Sequence, residues 1–157
     1  FNNKEETYRN VLEFVFSDKA RTTSELTAAK IEPEKTLRQL IAWLIRQFLD
    51  DEIMARLLAR ELLARYKKRL VFLTREVVGQ TFADIEALML RLAPDRDANL
   101  SAVSVLSLVL GYVELNPVLG GLTGQPVTRE QDSLFAGHAS QLLLHGLSPA
   151  PDAKETQ

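Results

Sequence analysis

The chain has 157 residues, 46% of them hydrophobic and 25% charged, with seven glycines and six prolines; these proportions fit one folded soluble domain and disfavour a turn-rich β fold. Nineteen Lys and Arg against 21 Asp and Glu leave a net charge of -2, which excludes the overall positive field of a domain that binds nucleic acid by itself. The absence of cysteine removes disulfides, thiolate metal sites and cysteine nucleophiles, and agrees with a reducing, cytoplasmic setting.

In chain order, nearly every segment carries a helical period. Asn2 or Asn3 is placed to cap a first helix, with Glu5 or Glu6 in its first turn. Tyr8, Val11, Leu12 and Val15 recur at i, i+3, i+4, i+7, and Phe14 and Phe16 widen that face. Thr22, Thr23 and Ser24 then weaken the propensity, so the helix is predicted to reach only the region of Ser24. "KIEPEKTLRQLIAWLIRQFLD" starts a second helix at Pro33, with Leu37, Leu40, Ile41, Leu44, Ile45 and Phe48 as its buried stripe. "DDEIMARLLARELL" predicts a short third helix capped by Asp50 or Asp51.

From Ala64 the pattern runs through Leu70, Val77, Val78, Ile85, Leu88, Met89 and Leu92 until Pro94 ends it, either unbroken or interrupted near Gly79. "PDRDANL" supplies a turn and a cap for an almost uniformly apolar helix ending at Asn116. Its apolar run is shorter than the roughly 20 residues of a membrane span and contains Glu114, so no membrane is expected as a partner. "NPVLGGLTGQPV" reads as a Gly/Pro loop. "TREQDSLFAGHASQLLLHGL" is the last helix, capped by Thr128 and stopped by Gly146. Without repeats or linkers, residues 1–147 read as one all-α domain, and residues 148–157 as a flexible tail with nothing to pack.

The opening "FNNKEETYRNVL" resembles the junction at which TetR-family transcriptional regulators pass from their helix-turn-helix into a long connecting helix. The matching positions are Phe1, Asn2, Asn3, Lys4, Glu5 and Tyr8, and the order and lengths of the later helices are also similar to that family's regulatory domain. The resemblance implies that Phe1 packs into a preceding DNA-binding domain and that Lys4 touches an operator phosphate. It also implies that the last two helices build the four-helix bundle of a homodimer. The helix-turn-helix itself is missing from this chain, so operator DNA is expected to be a partner only through that absent N-terminal part.

Several residues stand out from their helices. Trp43 points away from the stripe of its helix, as a residue packed between helices or as the wall of a cavity. Glu61 projects into the same sector as Ile53, Met54, Leu57 and Leu58, so it is paired in the interior, exposed at the helix end, or in contact with a ligand. Arg91 or Arg75 is the expected protein partner, because Arg60 projects elsewhere. Tyr112 either faces a pocket or packs in the core. Ser104, Ser107 and Gly111 form a small-residue side, which permits close approach of another helix. On the last helix, Leu134, Phe135, His138 and Leu142 share a face, with Ala136, Gly137 and Ser140 opposite. With only two histidines and no thiolate, His138 reads as a packed or interface residue and no metal site is expected. "ARYKKRL" is a solvated basic face or a site for an anionic partner.

No nucleophile elbow, phosphate loop, HExxH or paired-carboxylate pattern is present, so no enzyme and no cofactor are expected. The leading expectation is the effector-sensing, dimerising part of a TetR-like repressor. Its small apolar or aromatic ligand would meet Trp43, Phe72, Phe82 and Tyr112, with Arg60 or Glu61 as polar contacts. The rival is a helical interaction module with a solid core.

Overall fold

A computed structural model describes residues 2–64, 71–126 and 128–147. Among them every regular element is helical. The helices are α1 (Asn2–Ala28), α2 (Pro33–Asp50), α3 (Glu52–Ala64), α4 (Gly79–Leu92), α5 (Ala98–Glu114), α6 (Asn116–Thr123) and α7 (Asp132–Leu147). A π-helical turn, Leu73–Val77, precedes α4, and a 3-10 turn, Arg129–Gln131, precedes α7. Phe1, the basic run from Arg65 to Arg69 and the tail 148–157 lie outside the described residues.

The longest helix exceeds its sequence expectation, running past Ser24 to Ala28. The hydroxyls that weaken helix propensity are satisfied inside the helix: Thr22, Thr23 and Thr27 donate to the carbonyls of Asp18, Lys19 and Thr23. Tertiary contacts then hold the last turns, since Ser24 Oγ reaches Asp84 at 2.5 Å and Arg91 Nη2 donates to the Thr27 carbonyl at 2.9 Å. Asn3 lies within the helix rather than capping it, and its carbonyl accepts from Thr7 Oγ1.

The buried face of α1 is also turned relative to the expected stripe. Leu12, Phe16, Thr23 and Thr27 are buried, whereas Val11 is exposed and Phe14 is 82% exposed. At about 100° per residue, that choice rotates the inward face toward Phe16 and brings Lys19 onto it.

Proline at the start of α2 needs no backbone donor there, and a single residue, Asp51, separates α2 from α3. Asp51 Oδ1 accepts from Met54 N at 2.9 Å, the expected cap. Asp97 caps α5 in the same way through Leu100 N. Thr128 makes no side-chain cap; the 3-10 turn intervenes before α7. Residues 116–123, expected to be loop, form α6 instead. Pro117 suits a first helical turn, and Gly124, at φ 67°, ends the helix in the left-handed region.

Two apolar clusters fill the interior. The larger joins α2, α4, α5 and α7 through fully buried Leu37, Leu40, Ile41, Ile85, Leu88 and Val105. Burying a side chain of this size contributes roughly 1.5–3 kcal/mol, so this cluster dominates the stability. The smaller cluster joins α1, α3 and the π turn through Leu12, Phe16, Met54, Leu58 and Leu73, and Phe48 packs against both. Arg46 fastens α2 to the start of α7: its Nη2 and Nε lie 2.6 and 2.7 Å from Asp132 Oδ2. No single helix among the described residues is long and apolar enough to cross a membrane, and the apolar run over α5 and α6 is bent by 65°.

Candidate functional site

Between the two clusters lies a cavity of about 190 Å3 with an almost wholly apolar surface. Phe16, Trp43, Leu44 and Phe48 form its α1 and α2 walls; Met54 and Leu58 come from α3, and Leu106 and Leu110 from α5. From α4 comes Thr81, and the π turn and its exit add Leu73, Thr74 and Val78. There Val78 N donates to Leu73 O across five residues at 2.9 Å, one residue more than an α turn. Gly79 makes that turn possible: a Cβ at this position would stand 2.5 Å from Thr74 O.

The mouth is polar. Lys19, Trp43 and Gln47 line both the cavity and an outer cleft of about 410 Å3, which Asp18, Thr22 and Asp51 help to form. Lys19 Nζ donates to Gln47 Oε1 at 3.2 Å and lies 3.7 Å from Asp51 Oδ2, with its side chain 21% exposed.

Of the six residues singled out as ligand contacts, Trp43 lines this cavity, and the others are placed elsewhere. Phe72 packs on the smaller cluster beneath the Arg9 guanidinium, whose carbon is 4.8 Å from the ring centre. Phe82 packs against the larger cluster. Tyr112 does the same and meets Phe135 edge to face, at 5.4 Å and 66°. Glu61 is buried, and among the described residues a partner from another helix is the phenol of Tyr8, which donates to Oε1 at 2.6 Å. Arg91 is engaged instead with the end of α1. Arg60 is largely exposed, 3.9 Å from the Glu61 carboxylate and 5.9 Å from the centre of the Tyr8 ring. Ile53, grouped with Glu61 in the sequence, is 74% exposed.

Cavity residues that sequence reasoning missed include Lys19, Gln47 and Thr74. Lys19 did carry a signal: Leu12, Phe16, Lys19 and Thr23 follow helical spacing, so a cation stands on a core-facing row.

Lys4 is exposed and borders a separate cleft of about 790 Å3 formed with Asn3, Thr7, Tyr8, Val11 and Leu57. Elsewhere on the surface, α5 exposes Leu100, Val103, Ser104 and Ser107, and α7 exposes Leu134, His138 and Leu142. The α5 surface is therefore not buried on every side within one chain. Phe135 is half-buried, and an added Cβ at Gly111 or Gly137 would meet nothing within 4 Å. Ala136 and Ser140 are fully buried within the larger core of the chain itself.

Comparison of the chain with protein-family models, curated proteins and solved structures finds no match.

Proposed function

We propose that this chain is the effector-sensing and dimerising part of a TetR-like transcriptional regulator, a repressor whose operator affinity changes when a small apolar or aromatic molecule enters the cavity. The cavity carries this reading: an apolar space between two packed clusters, with one aromatic wall and a polar mouth, is the usual form of a small-molecule site. Support for transmission comes from α3, which contributes Met54 and Leu58 to the cavity and holds Tyr8 of α1 through Glu61. Tyr8 is one turn from Lys4, so a ligand that favours one setting of α3 biases the N-terminal end of α1. Only a ligand with different affinity for two such settings shifts their populations. DNA contact would belong to a domain outside this chain, placed beside the cleft at Lys4.

The exposed apolar residues of α5 and α7 support a symmetric homodimer, in which Leu134, His138 and Leu142 face the partner. Native mass spectrometry of the purified chain tests both halves of the proposal. A dimer retaining a reproducible small extra mass is the expected result, and replacing Leu134 and Leu142 together with Arg is expected to give monomers. A monomeric wild-type chain with no retained mass, and with no response to added apolar compounds, would overturn it.

A further inference from the structure

The cavity has an apolar body and a polar mouth, at which Lys19 is the one charged residue among the described residues that lines the cavity itself. We propose that its ligand is a carboxylate carried on a single substituted ring, the ring filling the space against Trp43 and Phe16 and the carboxylate held by Lys19. This rests on reading the cavity as an effector site.

Size limits the body. An apolar cavity of about 150 Å3 accommodates benzene. The volume here, about 190 Å3, therefore suits one ring with a short substituent rather than a fused polycycle. Charge selects the head. Lys19 lines both the cavity and the outer cleft, whereas Asp18 and Asp51 line only the cleft, so the charged side chain that reaches the apolar space is a cation.

Lys19 also has donor capacity to spare. An ammonium group offers three N–H donors. One is used by Gln47 Oε1 at 3.2 Å. Asp51 stands at 3.7 Å, beyond hydrogen-bond length, and its other oxygen is committed to the start of α3. Asp51 thus balances the charge without consuming the donor, and Asp18 is engaged by Arg21 at 3.2 Å. Thr23, the neighbouring hydroxyl in the wall, donates to the Lys19 carbonyl. An incoming carboxylate gains a charge-assisted hydrogen bond at the rim of a low-dielectric space. An ammonium head beside Lys19 would meet a like charge, since the carboxylates of Asp18 and Asp51 line the outer cleft and not the cavity.

Trp43, the one tryptophan of the chain, reports on occupancy directly. The test titrates the full chain at neutral pH with 4-propylbenzoate, 4-propylbenzyl alcohol and 4-propylbenzylamine, following Trp43 fluorescence. These probes share one body and differ in the head. The benzoate is expected to bind about tenfold tighter than the amine, with the alcohol between them. Lys19→Met should abolish the preference while still binding the alcohol, and Lys19→Arg should keep it. Circular dichroism confirms that each variant folds, and Lys19→Gln replaces the Met variant if that one does not. An amine that binds as tightly as the benzoate, or a preference that survives removal of Lys19, overturns the anchor and leaves the apolar site. If none of the three probes changes Trp43 fluorescence, both the anchor and the effector reading fall.

Discussion

The two sides of the interior use the same kinds of residue and pack them to different completeness. Where α2, α4, α5 and α7 meet, Leu37, Leu40, Ile41, Ile85, Leu88 and Met89 are fully buried and belong to one continuous cluster. Where α1, α3 and the π turn meet, Leu12, Phe16, Met54, Leu58 and Leu73 form a smaller cluster, and the cavity opens along its border with the larger one. The larger side has regular helices that can interdigitate along their length. The smaller side contains a turn with an extra residue, and that turn and its exit form one wall of the cavity at Leu73, Thr74 and Val78. Stability is therefore concentrated on one side, and the cavity lies along the border where the other side meets it.

The largest effect that would test this division is a pair of truncations. Leu88→Ala opens a void in the closed cluster and should cost about 3–5 kcal/mol, whereas Leu58→Ala removes a side chain that already borders empty space and should cost roughly 2 kcal/mol. Urea unfolding of both variants measures the difference; equal losses would show that the two sides are packed alike. Next in size is Gly79→Ala. Its Cβ would meet a backbone oxygen at 2.5 Å, so the π turn must shift, at a cost of about 1–3 kcal/mol and with a change in ligand-probe affinity. A neutral result would remove the geometric reason for glycine at this position.

A smaller effect belongs to the link between α2 and α7. Burial works to raise the Asp132 carboxyl, but hydrogen bonds from Arg46 and Ser133 and the charge of Arg46 together hold it below its ordinary value of 3.8. A depressed native value means that this stabilisation is fully present above the ordinary carboxylate range and fades as pH falls through the native one. Arg46 is 43% exposed, so solvent screens the pair, and Asp132→Asn should cost only about 1 kcal/mol at neutral pH. The deficit should shrink in acid. Thermal unfolding of both proteins from neutral pH to below 3.8 checks the sign, and a deficit that grows in acid would refute it.

These regions were unequally legible in the sequence. The α2 stripe and the Pro33 start follow from local spacing and hydrogen-bonding capacity and are realised, and the cap expected somewhere in "PDRDANL" is supplied by Asp97. The length of α1 was not legible, because Thr22, Thr23 and Ser24 weaken a helix locally and only Asp84 and Arg91, 60 residues or more away, secure it. Residues 116–123 failed for a related reason: proline and glycine mark a loop in general, yet Pro117 and Gly124 sit at the two helix ends that favour them. The cavity was hidden by the π turn. The extra residue changes the helical phase between Leu73 and Val78, whereas Trp43 left the stripe of its own helix, which allowed either a packing or a cavity-wall reading.

The smallest change in stability should come from filling the space rather than enlarging it. Enlarging a residue in a closed core typically costs 1–3 kcal/mol, at roughly that size because neighbours are forced off their rotamers. Leu58 borders the cavity, so the added atoms of Leu58→Phe can occupy existing space and gain contacts with Phe16 or Leu110. Stability should then stay within about 1 kcal/mol of the parent, while binding of any probe that reports through Trp43 is lost. A substantial destabilisation would mean that Leu58 does not face free volume. Full stability with unchanged binding would place the ligand elsewhere, so the two measurements together separate the shape of the cavity from its use.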